Sequence, residues 1–392
     1  MPTFKRTRDL PVSAQDLFAW HARPGAFERL APPWDHITVE QRSGITDGER
    51  LIMAIHQGPL TLRWEALHQG YVEGQRFQDV QVRGPFARWV HTHRFIPLTD
   101  ARSRLEDELD YALPFGWLGA LLGGWFVRRM LTKMFNFRHD RTEADLRRHA
   151  EFTDRGPQRV AITGASGLIG KALTALLTTG GHEVWALVRR PADPKRREIT
   201  WDPDKGTIDA AALEGMDVVI HLAGENVGGK RWSEQQKREI LRSRDLGTRT
   251  LADALASLQR KPRALLSASA IGYYGDRDAP VDESAPPADD FLAQVCQTWE
   301  AATAPASDAG IRVTLLRIGV VLSPQGGALA KMLTPFKLGL GGPIGDGKQP
   351  LSWISLDDVV AAIHHLIFAD DVSGPVNLTS PGVVSQGAFA KV

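Results

Sequence analysis

The sequence predicts a doubly wound parallel α/β domain preceded by a smaller α+β domain, and three observations carry that prediction. The first is the stretch RVAITGASGLIGKAL, residues 159–173, in which an apolar strand runs into a glycine-punctuated turn and then a helix. The second is the grammar that follows it: strands apolar throughout alternate with amphipathic helices, the pattern of a parallel sheet covered on both faces. The third is length. At 392 residues the chain exceeds one ordinary domain, and two or three are expected.

Composition narrows the class. Hydrophobic residues make up 43% and charged residues 24%, which supplies apolar material for more than one core and excludes a disordered chain. A formal net charge of +1 points neither to nucleic acid nor to an anionic membrane surface. The single cysteine, Cys296, forms no internal disulfide and favours a reducing compartment. The N-terminus, MPTFKRTRDLPVSAQDLF, lacks the uninterrupted apolar core of a secretory signal, so a cytoplasmic location is expected. One stretch looks membrane-like: LPFGWLGALLGGWFV, residues 113–127, followed by Arg128 and Arg129. It is short for a span, and burial against a neighbouring sheet is the expectation.

Residues 1–154 read as a short helical start, a series of strands and a long closing helix. LIMAIHQ, LTLRWEAL, RFQDVQV, FARWVHTHRF and SRLEDELDYAL each place apolar side chains at every second position, with Gly, Pro or charged breaks between them. Tight turns between consecutive strands make the sheet antiparallel. From Trp117 the spacing becomes helical, and Leu118, Leu121, Leu122, Trp125, Phe126, Met130 and Phe137 form a broad apolar face for which the sheet is the expected partner. This order resembles the helix-grip fold of the START/polyketide-cyclase-like superfamily. The resemblance implies a curved sheet wrapped around a long C-terminal helix with an apolar cavity between them. Trp64, Trp89, Phe95, Trp117 and Trp125 suggest a pocket for a hydrophobic ligand; the alternative is that they fill the core. His91 and His93 share a strand face with Trp89 and Phe95, and with no convincing third ligand in the sequence no metal site is expected.

RGPQRV, residues 155–160, supplies the Gly and Pro of a boundary, and the second domain is placed at 158–392. RVAIT, HEVWALV, MDVVIHLAG, RALLSASA and RVTLLRIGVVL read as its strands. LIGKALTALLTTG and SEQQKREILRSRDLGTRTLADALASL read as helices. In TGASGLIG, Gly164 permits the tight turn, Gly167 lets the backbone approach a pyrophosphate, and Gly170 allows close helix packing, while the new helix offers free N–H groups to phosphate. The expected cradle comprises Gly164, Ser166, Gly167, Leu168, Ile169 and Gly170. Arg189 and Arg190 end the second strand where an acidic residue would bond the ribose 2′-hydroxyl of NAD. Arginine there suits a 2′-phosphate, so NADP is the expected cofactor.

The Gly-x-x-Gly-x-x-Gly spacing, DVVIHLAG and LSWISLDDVVAAI together resemble the extended short-chain dehydrogenase/reductase family. LAGENVGGKRW, SASAIGYYGD and LRIGVVLSPQGGAL resemble its atypical epimerase-like branch, some members of which carry an N-terminal helix-grip domain. By this resemblance Leu222, Ala223 and Gly224 line the cofactor, and Asn226, Arg231, Trp232 and Arg244 sit on the substrate side. The superfamily's reductases and epimerases use a tyrosine with a lysine four residues later on one helix face. None of the chain's tyrosines has that lysine; in DDFLAQVCQTWEAAT, Phe291 or Leu292 falls near the tyrosine position and Cys296 near the lysine. Ser269, Tyr273 and Tyr274 are the substitute catalytic candidates, and Cys296 is not expected to act as a nucleophile. Relatives continue beyond GPVNLTSP into a C-terminal region that this chain is expected to lack. The leading expectation is an NADP-binding oxidoreductase or epimerase-like enzyme acting on a small molecule. The alternatives are a non-catalytic NADP-dependent sensor and a hydrophobic-ligand carrier working through the N-terminal domain.

Overall fold

The structure, a computed structural model, describes residues 2–58, 60–277 and 279–391. Its contacts divide the chain into two units: residues 1–154 with Thr178–Gly181, and the remainder from Arg155.

The first unit runs β1 (Thr3–Leu10), α1 (Ala14–Ala22), α2 (Ala26–Leu30), β2 (His36–Arg42), β3 (Arg50–Gln57), β4 (Leu60–Val72), β5 (Arg76–Arg83), β6 (Arg88–Thr99), β7 (Arg102–Ala112) and α3 (Gly116–Ala150). Its seven strands form one antiparallel sheet in the order β1-β7-β6-β5-β4-β3-β2. The five strands expected from alternation are present. Two more were not foreseen, and β1 shows why: it alternates, but in TFKRTRDL only two of the inward-alternating positions are strongly apolar, Phe4 and Leu10, and the rest reads as a charged tail. The helices that follow start at Ala14, where Ser13 caps α1 by accepting from the Asp16 N–H at 3.0 Å.

The C-terminal part of α3 closes the core. Leu131, Phe135, His139, Thr142 and Asp145 are fully buried along one stripe, at the three- and four-residue spacing of a packed helix face. Arg29 of α2 holds Asp145 through two hydrogen bonds of 2.7 and 2.6 Å. The N-terminal part of α3 behaves otherwise, and here the expected burial against the sheet is overturned. Leu118, Leu121, Leu122, Trp125 and Phe126 are exposed, Leu122 by 84%, because the sheet is already covered by the helix from Leu131 onward. Phe137 is half-buried against Trp34, their ring centroids 5.3 Å apart.

The second unit runs β8 (Arg159–Thr163), α4 (Leu168–Thr179), β9 (Glu183–Val188), β10 (Glu198–Asp202), β11 (Thr207–Ile208), β12 (Val218–His221), α5 (Glu234–Ser257), β13 (Ala264–Ala270), α6 (Phe291–Ala301), α7 (Ala304–Asp308) and β14 (Arg312–Ile318). It continues through β15 (Val320–Ser323), α8 (Gly327–Lys337), β16 (Pro350–Leu351), β17 (Trp353–Ser355), α9 (Leu356–Phe368), β18 (Gly374–Leu378), β19 (Val384–Ser385) and α10 (Gln386–Phe389). Eight strands form a sheet in the order β11-β10-β9-β8-β12-β13-β14-β18, parallel except at β11. The strand order reverses between β8 and β12, the switch point at which such sheets bind ligands. The run RVTLLRIGVVL divides at Gly319: β14 stays in the main sheet, whereas β15 pairs with β17 in a separate one.

The contrast along α3 gives a first prediction. Leu131→Ala should cost about 2–5 kcal/mol, as a truncated core leucine does, and Leu122→Ala less than about 0.5 kcal/mol. Urea unfolding of the two variants measures the difference; equal losses would show that the exposed turns are packed.

Candidate functional site

The nucleotide-type cradle is built by close backbone approach. Gly164 has φ of +70°, and a Cβ on it would lie 3.0 Å from the Ala223 nitrogen and the Leu222 carbonyl. A Cβ on Gly170 would lie 2.2 Å from the Gly164 oxygen, so α4 can start against the end of β8 only with glycine there. At Gly167 the one neighbour is the Gly164 oxygen at 3.2 Å; the turn closes with the Gly167 N–H donating to that oxygen at 2.9 Å. Ser166 and Gly167 are exposed. The first N–H groups of α4, at Leu168 and Ile169, have no partner within the helix and are available to an anion.

Beneath the cradle Thr163 joins two strands. Its hydroxyl accepts from the Leu222 and Ala223 N–H groups at 3.1 and 3.2 Å and meets His221 Nδ1 at 2.7 Å. His221 Nε2 reaches the Thr248 hydroxyl of α5 at 2.9 Å. Burial, and then the charge of Arg244, push the His221 pKa down to about 3, so this imidazole is a neutral strut that fixes the Leu222–Gly224 turn.

Arg189 and Arg190 part company. Arg190 forms two hydrogen bonds to Glu198 of β10, at 2.6 and 2.5 Å. Arg189, the first residue beyond β9, is exposed and makes no ion pair among the described residues.

At the other side of the switch point a polar cluster joins four elements. Arg317 of β14 forms a two-bond pair with Glu300 of α6, both at 2.9 Å. Ser269 of β13 donates to the same carboxylate at 2.7 Å. Arg317 also donates to the Tyr274 hydroxyl at 2.9 Å, and that hydroxyl donates to Asn377 Oδ1 of β18 at 2.7 Å. Burial opposes the charge of Arg317, but Glu300 and Tyr274 raise its pKa above the ordinary value. Tyr274 is buried with its proton committed to Asn377. Tyr273 is half-buried, its ring 3.5 Å from the Arg317 guanidinium carbon, and its hydroxyl has no partner among the described residues. The structure thus separates two tyrosines that the sequence left equivalent.

The dyad face of α6 is apolar. A Cβ on Gly272, just ahead of the tyrosines, would lie 3.3 Å from Leu292 Cβ and 3.8 Å from Cys296 Sγ. Cys296 is buried, and burial raises its thiol pKa. Among the proposed substrate-side residues, Asn226 Oδ1 accepts from the Gly228 N–H at 2.9 Å. The Trp232 indole donates to the Val227 oxygen at 2.8 Å and packs edge-on against Phe291. Arg231 is exposed. Arg244 is buried, donates to the Glu225 and Ile240 carbonyls at 3.1 and 3.2 Å, and lies over the Trp299 ring; its contacts shape the loop rather than open onto solvent.

The first unit contains a cavity of about 410 Å³. Trp64, Trp89, Met53 and Phe86 form part of its apolar wall, and Asp79, His93 and Arg138 bring polar groups to it. Of the aromatics expected to line a pocket, Trp64 and Trp89 do so. Phe95 lies in the core, and Trp117 and Trp125 are exposed by 73% and 74%. Sheet register explains the polar part: Asp79 of β5 stands opposite His91, and Asp107 of β7 opposite His93. His91 lies between Asp79 at 3.2 Å and Asp107 at 3.1 Å, and His139 reaches Asp107 at 2.6 Å. His93 Nδ1 comes within 2.7 Å of Asp107 without hydrogen-bond alignment. Asp79 is therefore the third group that the sequence did not reveal beside His91 and His93: one ligand atom from each lies within 4.8 Å of the others, a set that could hold a cation. The same carboxylates favour the protonated form of His91. Burial opposes its charge, but the two carboxylates raise its pKa to about 9, while burial and the charge of His91 lower that of His93.

Glycine turn, switch point and parallel sheet together define a Rossmann-type NAD(P)-binding domain, behind a helix-grip domain. Residues 160–378 match the NAD dependent epimerase/dehydratase family, and residues 10–137 match the polyketide cyclase/dehydrase and lipid transport family. The chain belongs to the NAD dependent epimerase/dehydratase family, in its atypical extended short-chain dehydrogenase/reductase branch. It is similar to the epimerase family protein Mb2239 of Mycobacterium bovis, at 46% identity over 59% of this chain and 76% of that one. The human epimerase family protein SDR39U1, whose structure was solved with NADPH, is 38% identical over 59% of this chain and 78% of that chain, with a TM-score of 0.55. The nucleoside-diphosphate sugar epimerase of Corynebacterium glutamicum is similar over 99% of this chain and 80% of its own, at 37% identity and a TM-score of 0.85.

The buried histidines predict a stability maximum close to the ordinary histidine pKa, about 6.5. His91, with its pKa raised, contributes stability that is complete below that value and is lost as pH rises towards 9. His21 and His221, held near 3, act oppositely, and stability falls as pH drops from about 6.5 because only the unfolded chain takes up their protons. Melting temperature against pH should show both limbs, and His91→Asn should flatten the alkaline one between pH 7 and 9. An unchanged alkaline slope would contradict the assignment.

Proposed function

We propose that the second unit is an NADP-dependent oxidoreductase or epimerase-like enzyme acting on a small-molecule substrate. The observation that carries this reading is Arg189 at the end of β9, exposed and without an ion pair among the described residues, beside a cradle that requires glycine at 164 and 170. A cofactor fits these residues. Gly167 is exposed at the turn, the N–H groups of Leu168 and Ile169 await an anion, and Arg189, with no ion pair among the described residues, is placed to meet a 2′-phosphate. Leu222, Ala223 and Gly224, fixed by Thr163, border the same crevice. The NADPH bound to human SDR39U1 supports the choice of NADP. A bound dinucleotide supplies hydride transfer at its nicotinamide.

The chain's own contribution is proton handling. Tyr273 is the group available for it, because its hydroxyl has no partner among the described residues and its ring rests on the charge of Arg317. Tyr274 and Ser269 hold Arg317 and Glu300 in place, which makes them positioning residues in this proposal. Asn226, Arg231 and Trp232 lie on the substrate side, and Arg244 braces their loop. A lone buried cysteine fits a reducing, cytoplasmic setting; no described helix is long and apolar enough to cross a membrane.

A second reading, a non-catalytic NADP-dependent sensor, is favoured by Leu292 and Cys296 occupying the face where a Tyr-Lys pair would act. The first unit is proposed to bind a hydrophobic ligand in its cavity, as its family description suggests, whether as a carrier or as a partner domain.

Calorimetric titration should show NADPH binding at least about tenfold more tightly than NADH, a difference of about 1.4 kcal/mol. Arg189→Ala should abolish most of that preference and Arg190→Ala much less of it. Equal affinities in the parent chain would defeat the cofactor assignment.

The tyrosines are tested by turnover of NADPH with carbonyl compounds or by epimerisation of nucleotide sugars. Tyr273→Phe should lower kcat by about a hundredfold or more, the usual worth of an acid–base group. Tyr274→Phe should chiefly lower the melting temperature. Turnover surviving Tyr273→Phe would remove its role, and NADPH binding with no turnover on any substrate would favour the sensor.

A further inference from the structure

We propose that the first turns of α3 form a docking tip that seats in the surface of a bilayer carrying anionic lipid headgroups. Phe115, Trp117, Leu118, Leu121, Leu122, Trp125 and Phe126 are all exposed, six of them by more than 60%. Monomeric proteins seldom leave so large a contiguous apolar surface in water. At about 100° per residue, the six from Trp117 to Phe126 fall within one half of the helix circumference, and Gly119, Gly123 and Gly124 on the other. The preceding segment covers part of the glycine side: a Cβ on Gly119 would lie 2.0 Å from the Pro114 oxygen and one on Gly123 3.5 Å from Leu113, whereas Gly124 faces open space. The bulky side is left exposed.

The charge pattern selects the partner. Between Tyr111 and His139 there is no acidic residue, while Arg128, Arg129, Lys133 and Arg138 are cationic. Arg128, Arg129 and Lys133 are exposed. By the same rotation they project from the apolar half, within about two turns further along. Neither Arg128 nor Arg129 makes an ion pair among the described residues; Arg129 lies over the Trp125 ring at 5.6 Å. The overall charge of +1 conceals this local run. A protein partner would be met by a rim of mixed hydrogen-bonding groups, whereas here the apolar face gives way directly to cations, with Trp125 at the border against Arg129. That sequence of surfaces matches hydrocarbon, interface and anionic headgroup in order.

The exposed turns from Gly116 to Phe126 extend about 16 Å, too short to cross a hydrocarbon core of about 30 Å, so the tip lies in the interface. Further along the same helix, Met130, Leu131 and Met134 line the cavity, which places the docking turns next to the wall of the apolar pocket. The docking itself is independent of both the nucleotide reading and the ligand reading, since neither substrate nor ligand is needed to observe it.

Cosedimentation of the full chain with extruded vesicles tests it. Vesicles of phosphatidylcholine containing one quarter phosphatidylglycerol should bind the protein, and pure phosphatidylcholine vesicles should bind it about tenfold less. Leu122→Asp with Phe126→Asp should lower partitioning by at least about tenfold while NADPH affinity and the helical circular dichroism signal stay unchanged, which separates lost docking from lost folding. Arg128→Glu with Arg129→Glu should erase the preference for the anionic vesicles. The proposal is overturned by absence of binding to both compositions, or by binding that the double aspartate variant retains. It is overturned equally by a dimer seen in light scattering that the aspartates dissolve without any vesicle binding by the parent chain, because the face would then belong to a second copy.

Discussion

The buried pair of Glu300 and Arg317 organises the candidate site in the second unit. It joins α6 to β14, takes the Ser269 hydroxyl of β13 on one side, and through Tyr274 reaches Asn377 of β18. Removing one member of a buried pair leaves the other charge unsolvated, at a cost of about 3–5 kcal/mol. Four elements therefore share one electrostatic anchor. The arrangement also distributes roles: the hydroxyl of Tyr274 completes the anchor, whereas Tyr273 lays its ring against Arg317 and its hydroxyl has no partner among the described residues.

Features set by local sequence were legible in advance. The glycine turn could be read because each glycine answers a backbone contact inside a short segment, and the structure supplies those contacts at Gly164 and Gly170. The strands of the parallel sheet were legible as apolar runs, and the seven-residue run at β13 shows how little surrounding structure such a reading needs. The absence of a Tyr-Lys pair was a statement about spacing alone. What escaped depends on partners distant in the chain. Glu198, which claims Arg190, sits on a strand that was not foreseen. Glu300 and Asn377 are 31 and 103 residues from the serine and tyrosine they hold. Asp79 meets His91 only through the β5–β6 register.

The first unit shows the same limit in another form. Helical periodicity identified an apolar face from Trp117 to Phe137, and that face exists. Periodicity reports a direction around the helix axis and is silent on what occupies it, so the sheet was assigned to turns that lie beyond its cover. Polarity inside the core was equally hidden. Asp79, His93 and Arg138 reach the cavity wall and join a buried cluster with Asp107, His91 and His139, in which, against the cost of burial, the two carboxylates raise the pKa of His91. Such coupling is a property of the folded neighbourhood and leaves no signature in spacing.

Cys296 has a practical consequence. The only thiol in the chain is buried, points at the Ala270 carbonyl, and is raised in pKa by its surroundings, so at neutral pH it presents almost no thiolate to an alkylating reagent. The native protein is thus a ready-made silent background for thiol chemistry. A cysteine introduced on an exposed turn of α3, or on the loop around Arg231, would carry a fluorophore or spin label at a single known position, without first removing a native residue that packs against the loop of the two tyrosines.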